Sequence, residues 1–329
     1  MPSEERQLQR LLTTARTAAA HGSQREAFDL YCRAGHLLSL DREWQAAGTA
    51  YQDAARLRAA ARQPINAGTI SCLLRTASHC FLMADKQRDA LHCLRTAATV
   101  LAEAGDFPTA AGHYVSMGQV VAAGDLERGI AYFEQAARLY ETASIGFKND
   151  FAERAWLSVG ELAARQGDYH RAITIFEGVA QANLRDGTVH DAPDRHIFAT
   201  CDYFRAGAWH DPERAAAAYF WAVLCYLCRD GPLAAKVAVV RCEDRLSCFA
   251  SSVQRGVLRQ AMGDTENAFT VKSLERVLTA DAENTKKGYD TAYLYAGGYI
   301  AYLSLTQWNR MMLGRAVEKL RDAEKEQTR

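Results

Sequence analysis

Small and apolar residues recur along this chain at the spacing of one helix face. In GDLERGIAYFEQAARLYE (124–141), Gly129 stands four before Phe133, and Ala136 and Ala137 stand three and four after it. The same frame reads through AFDLYCRAG (Ala27–Gly35), AGTAYQDAA (Ala47–Ala55), ALHCLRTAA (Ala90–Ala98) and AITIFEGVA (Ala172–Ala180). The first two copies are 20 residues apart, about one helix and a turn; the later ones recur at 43, 39 and 43. One structural unit of about 40 residues therefore holds two helices. Ala or Gly in this frame lets antiparallel helices approach closely, and the aromatic residue fills the gap between neighbouring hairpins. Asp41, Asp85, Asp125 and Asp168 each stand before one of these helices, where a carboxylate can cap free backbone N–H groups.

The period and the composition predict an all-α fold: tetratricopeptide-like stacked helical hairpins forming a twisted sheet of helices, then a C-terminal helical bundle. Only six prolines interrupt stretches rich in Ala, Leu, Arg, Glu and Gln. The repeat register fades after residue 183. LRDGTVHDAPDRH (184–196) reads as a loop or insertion. The predicted division is a repeat domain over 1–183, a connection over 184–214 and a bundle over 215–329. In the bundle, Ala215–Cys228 is apolar nearly all round and predicts a deeply buried helix, followed by a turn at Arg229–Pro232. Further helices are predicted over 233–247, 249–262, 264–280, 288–305 and 306–326.

Net charge disfavours one class. The 329 residues carry 39 basic and 39 acidic side chains, a net charge of zero, against the basic excess usual for nucleic-acid binding. The N-terminal MPSEERQLQRLLTTARTAAAHG lacks a secretion signal's basic-then-apolar order. The stretch closest to a membrane span, Thr291–Leu305, is too short, contains two glycines and reads as a buried helix. Nine cysteines (Cys32, Cys72, Cys80, Cys93, Cys201, Cys225, Cys228, Cys242 and Cys248) lie mostly in apolar helical stretches. They read as reduced, buried small hydrophobes of a cytosolic protein.

Catalytic motifs are missing. There is no phosphate-cradling glycine loop, no HExxH and no GxSxG. Cys225 and Cys228, with Cys242 and Cys248, have a superficial zinc spacing, but the pair lies within an apolar helix where four thiolates converge poorly. His79-Cys80 and His92-Cys93 are read the same way. The expectation is no catalytic residue, no metal and no cofactor. Repeated hairpins without chemistry make a surface for another macromolecule, with Arg42, Arg88, Glu127, Arg128, Arg154 and Arg171 available on it.

The order of these elements resembles the soluble NSF attachment proteins of the alpha-SNAP type. The matching stretches are EAFDLYCRAGHLLSLDREWQAAGTAYQDAARL (26–57), CFLMADKQRDALHCLRTA (80–97), AGDFPTAAGHY (104–114), ERGIAYFEQAARLYE (127–141) and GDYHRAITIFEGV (167–179), with AYFWAVLCYLCRDGPLAAK (218–236) and LTQWNRMMLGRAVEKL (305–320) towards the end. The resemblance implies a non-enzymatic adaptor. Its partners would be a SNARE complex (syntaxin-type and other SNARE helices) and an NSF-type AAA ATPase that pulls the bundle apart. It implies a cytoplasmic location, peripheral to membranes through SNAREs, with indirect or weak membrane contact and no nucleic acid.

Carried over residue by residue, Arg42 and Arg154 match basic family positions, with Arg128 and Arg171 as further SNARE-binding candidates. Asp230 matches an acidic family position. Asp264, Glu266, Thr328 and Arg329 complete the expected NSF-binding set. Leu82, Met83 and Gly112 stand where the family has basic residues. AAAHGSQ (18–24) has no aromatic residue where the family has a membrane-dipping loop. Thr328 replaces a leucine in the tail, and NTKKGYDTAYLYAGGYIAY (284–302) looks like added sequence. The alternative reading is a helical-repeat interaction scaffold with changed partners; an enzyme built on the C-terminal cysteines is a third.

Overall fold

The computed structural model describes residues 2–60, 67–143, 148–184, 212–245, 292–296, 299–303 and 307–327. Its helices are α1 (Pro2–Ala20), α2 (Gln24–Leu40), α3 (Trp44–Ala60), α4 (Ala67–Met83), α5 (Gln87–Glu103), α6 (Phe107–Val121), α7 (Leu126–Thr142), α8 (Lys148–Gln166), α9 (Tyr169–Leu184), α10 (Pro212–Asp230), α11 (Pro232–Arg245) and α12 (Gln307–Gln327). Two strands, β1 (Ala292–Ala296) and β2 (Tyr299–Leu303), pair antiparallel. The described residues are thus helical apart from one hairpin. The copies of the sequence repeat at 43, 39 and 43 fall on α3, α5, α7 and α9, every second helix. Contacts divide the chain into two compact units, Met1–Ala155 and Trp156–Arg329.

In the first unit, α1 to α7 pack each on the next in sequence. The turns between them share one geometry. A residue in the left-handed region closes the helix: Gly22, Arg42, Asp85 and Gly105 have φ of 79°, 61°, 57° and 82°. The next residue's N–H then reaches back five positions. Ser23 donates to the Ala18 carbonyl, Glu43 to Leu38, Lys86 to Phe81 and Asp106 to Leu101, all at 2.8–2.9 Å. These are Schellman closures, which satisfy carbonyls left open at a helix end. Asp168 to Ala163 repeats the bond at 3.0 Å in the second unit, after Gly167.

These turns correct part of the expected capping. Asp125 and Asp168 do cap: their Oδ1 atoms accept from the N–H groups of Arg128 (3.0 Å) and Arg171 (3.1 Å). Asp106 does the same for Thr109 at 3.2 Å. Asp41 and Asp85 do not start helices. Asp41 is the C-cap of α2, and Asp85 takes the left-handed closing position. The N-cap of α5 is Lys86, with no side-chain cap bond.

Helix-to-helix contact is set by aromatic rings laid on glycine backbones. A Cβ added to Gly35 would lie 3.0 Å from the Tyr51 ring; at Gly48 it would be 2.9 Å from Phe81, at Gly118 2.8 Å from Phe133, and in the second unit at Gly160 2.9 Å from Phe176. Tyr51, Phe133 and Phe176 are the aromatic positions of the repeat. Its Ala27, Ala34, Ala47, Ala54, Ala55, Ala90, Ala97, Ala98, Ala136, Ala137, Ala172 and Ala180 are all buried. One buried polar pair joins α4 and α6: the Ser71 hydroxyl and His113 Nε2, 2.7 Å apart.

In the second unit α10 packs on α9, α11 and α12. Its Ala215, Tyr219, Phe220, Val223, Leu224 and Leu227 join Val239, Leu313, Val317 and Leu320 in one core, as the all-round apolar pattern predicts. From α12, the Arg315 Nη1 donates to the Ala164 carbonyl (2.9 Å) and to Tyr169 Oη (3.3 Å), and its Nη2 donates to the Arg165 carbonyl (3.3 Å). A cation thereby adds donors to the carbonyls at the negative end of α8.

The helix expected over 288–305 is corrected by the β1–β2 hairpin. Its register sets Tyr293 opposite Tyr302 and Tyr295 opposite Ile300. Aromatic and β-branched residues at alternate positions suit strands, and Gly297-Gly298 between them is a two-residue hairpin signal. The helices expected over 249–262 and 264–280 lie outside the described residues.

Two stability predictions follow from this packing. Gly118→Ala should lower the unfolding free energy by about 1–3 kcal/mol through overpacking against Phe133, exceeding the ~1 kcal/mol helix-propensity gain. Gly178→Ala, on α9 with nothing within 4 Å of the added Cβ, should instead gain about 0.5–1 kcal/mol. Urea titrations of both variants check the opposite signs.

His113 gives a pH dependence. Burial, then the Arg75 charge, lower its pKa below 6.5. The unfolded chain therefore takes up the proton first. The stability contributed by neutral His113 is intact above pH 6.5 and is lost as pH falls through the folded-state value. Unfolding titrations at stepped pH should show this loss in the native protein and a shallower one in His113→Gln.

Candidate functional site

Arg42 occupies a position that its residue type disfavours. It closes the α2–α3 turn at φ 61° with its side chain exposed. A left-handed backbone costs a residue with a Cβ about 1–2 kcal/mol. Asp, which holds the equivalent position at Asp85, tolerates this region better than Arg does. Arg42 thus stands on a turn that glycine would serve better, as at Gly22 and Gly105.

The other arginines sit on separate elements. Arg128 is in the first turn of α7 and is exposed. Its guanidinium lies 5.8 Å from the Tyr132 ring centroid, and its Nη2 donates to Tyr132 Oη at 3.5 Å. Arg95, from α5, donates to the same oxygen at 3.0 Å. Burial pushes the Tyr132 phenol up, but the two arginines outweigh it and hold the pKa below the ordinary value of 10.0. Arg154 is exposed on α8 and Arg171 is half-buried in the first turn of α9. Sequence reasoning singled out Arg128 but missed Arg95 and Tyr132. The four-residue step from Arg128 to Tyr132 was legible; the partner from another helix was not.

Asp230, at the end of α10, is exposed and paired. Arg229 Nη2 lies 2.6 Å from Asp230 Oδ2, and Arg229 Nε bonds both carboxylate oxygens at 2.8–2.9 Å. These bonds hold the Asp230 carboxyl below the usual carboxylate range. The Arg229 guanidinium also lies 5.3 Å from the Tyr226 ring centroid, and Arg241 lies 5.2 Å from it. Tyr226 Oη donates to Glu177 Oε1 at 3.1 Å. The acidic position is therefore half of an Arg–Asp unit rather than a bare charge. The remaining candidates, Asp264, Glu266, Thr328 and Arg329, lie outside the described residues.

Cys72 on α4 is exposed, against the buried reading, whereas burial favours the protonated thiol at other described cysteines. The pKa values of Cys32 and Cys228 are pushed up to about 11 and those of Cys93 and Cys242 to about 12; that of Cys225 is raised as well. A protonated thiol is neither a nucleophile nor a metal ligand. Among the described residues no group of three His, Cys, Asp or Glu is placed to hold a metal ion. No described helix is long and apolar enough to cross a membrane.

The model of the family described as soluble NSF attachment protein matches residues 5–190. The chain belongs to this family. It is 28% identical over 303 residues to the alpha-soluble NSF attachment protein of Mus musculus, covering 92% of this chain and 86% of that one. The beta-soluble NSF attachment protein of Bos taurus is 27% identical over 290 residues, with 88% and 81% covered. A probable vesicular-fusion protein of Neurospora crassa, a sec17 homolog, is 28% identical over 162 residues, with 48% and 53% covered. The family match takes in Arg42, Arg128, Arg154 and Arg171; Asp230 and the tail fall beyond it.

Arg42→Gly should raise the unfolding free energy by about 1 kcal/mol by relieving the left-handed backbone. A higher urea midpoint with an unchanged slope is the expected reading.

Proposed function

We propose that this chain is a non-enzymatic adaptor that binds assembled SNARE bundles and recruits an NSF-type AAA ATPase to disassemble them in vesicle fusion. It works in the cytoplasm and reaches membranes through the SNAREs. Family membership supports the reading, since the curated relatives are named for attachment of NSF and for vesicular fusion. The observation that carries it to particular residues is Arg42. A cation kept where the backbone favours glycine points to a use for the side chain, because strain of this kind persists mainly at functional positions. Arg154 and Arg128 add exposed positive charge, and Arg171 adds a half-buried cation. Such groups attract an acidic bundle over about a Debye length. The Arg229–Asp230 unit and the tail residues Thr328 and Arg329, with Asp264 and Glu266, face the ATPase in this reading.

Co-sedimentation with a purified SNARE complex tests it. Binding should weaken between low and physiological salt. Arg154→Glu and Arg42→Gly should each weaken it about five- to tenfold, equivalent to ~1–1.4 kcal/mol. Arg42→Gly would then bind less while folding more tightly, which separates contact from stability. No binding to any cognate SNARE bundle overturns the reading and favours a helical-repeat scaffold with other partners. In a disassembly assay with NSF, a gain on Thr328→Leu would assign the tail its part.

A further inference from the structure

Two guanidinium groups from different helices meet over one neutral oxygen. Arg95 of α5 and Arg128 of α7 donate to Tyr132 Oη at 3.0 Å and 3.5 Å. Both arginines are exposed, and Tyr132 is half-buried. The Tyr132 ring is anchored beneath them: it lies 6.4 Å from the Tyr114 ring of α6 and packs on the cluster of Leu91, Leu94, Met117 and Val121. Elsewhere in the chain arginines pair with acids, Arg56 with Asp53 at 3.2 Å, Arg138 with Glu134 at 3.8 Å and Arg229 with Asp230 at 2.6 Å. Among the described residues no carboxylate forms an ion pair with Arg95 or Arg128. The acid that starts α7, Asp125, is engaged by the backbone N–H of Arg128 at 3.0 Å. Two like charges therefore converge with no countercharge between them.

We infer that Arg95, Tyr132 and Arg128 form a binding site for a phosphate monoester carried by a partner protein, a phosphoserine in an acidic, extended segment. Charge decides the class. A phosphate monoester carries about −1.5 to −2 at neutral pH and balances two guanidiniums, whereas a carboxylate balances one. The donors agree with this. Each guanidinium keeps further N–H groups in a fork suited to phosphate, and the Tyr132 O–H donates to no described residue. All the donors that meet here can thus serve one acceptor-only group. The surroundings decide the carrier. Arg88, His92 and Arg95 are exposed along one face of α5, at steps of four and three. Arg88 and Arg95 are about 10 Å apart along the helix axis, the reach of about three residues of extended chain. A line of basic groups leading to the phosphate site suits a peptide with acidic residues beside its phosphoserine. The site shares Arg128 with the adaptor reading but does not rest on it, since Arg95 and Tyr132 belong to neither the SNARE nor the NSF set.

The probe is a capped pentapeptide of phosphoserine between two pairs of glutamates, with serine and glutamate at the centre as controls, titrated calorimetrically into the full chain. The phosphopeptide should bind saturably and about tenfold or more tighter than either control. Arg95→Gln and Arg128→Gln, both at exposed positions, should each weaken it about tenfold, and Tyr132→Phe about fivefold. A second arm offers the chain phosphatidylcholine vesicles containing phosphatidylinositol 4-phosphate, with which it should not float. Four outcomes would each overturn the proposal: no phosphopeptide binding, equal binding of the glutamate control, unchanged affinity in any of the three variants, or vesicle flotation that Arg95→Gln abolishes, which would give the phosphate to a lipid. The titrations contain no SNARE and no ATPase, so their failure leaves the SNARE co-sedimentation to stand or fall by itself.

Discussion

The laying of an aromatic ring on a glycine backbone sets the helix spacing in both units. At Gly35, Gly48, Gly118 and Gly160 the ring of a neighbouring helix occupies the volume a Cβ would need. The contact brings two helix axes close, and that closeness admits only small residues at the flanking positions. Hence the buried alanines of the repeat, three and four residues beyond each aromatic. The first unit's core interleaves these alanines and rings with larger aliphatic side chains such as Ile70, Leu74, Leu94, Leu101, Met117 and Ile130. Such a core is intolerant of added volume, because close-packed interiors transmit strain.

Close packing of antiparallel helices also demands short, reproducible turns. The five-residue closure recurs with nearly constant bond lengths at Ser23, Glu43, Lys86, Asp106 and Asp168. Glycine performs it without cost at Gly22, Gly105 and Gly167. Where Arg42 and Asp85 stand instead, the fold accepts strain to hold a charged side chain at the tip of a turn. Strain and exposure coincide at Arg42, which makes it the most informative arginine on the described surface. Exposure alone would not distinguish it from any solvated charge.

Repeat architecture was legible from the sequence because its determinants are local. Small and aromatic residues at fixed steps within one helix mark the helix, and their recurrence marks the stacking. The misreadings are also local in origin. Asp41 and Asp85 look like caps by residue type, but the residue just before the helix is Glu43 in one case and Lys86 in the other, two and one positions further on. Thr291–Leu305 is apolar enough for a helix, and only the alternation of its tyrosines about Gly297-Gly298 argues for strands. Tyr132 between Arg95 and Arg128, and Arg315 on the end of α8, were not legible at all. Each depends on residues from different helices meeting, which a single line of sequence does not record.

Part of the surface charge is held in place before any partner arrives. A free arginine on a helix must surrender rotamer freedom to meet a partner. Arg128 has already surrendered part of it to Tyr132, and Arg229 has done so to Asp230 and the Tyr226 ring. Arg42 is held differently: its side chain is exposed, but its backbone is locked by the turn, so the point from which it reaches is fixed. Arg229 neutralises much of the Asp230 charge before any partner arrives. A protein that reads this helix end meets a dipolar Arg–Asp pair, and recognition there requires an acceptor and a donor together. A basic patch alone would meet Arg229 as well as Asp230. The surface at that helix end is therefore defined by the geometry of a neutral pair more than by net charge.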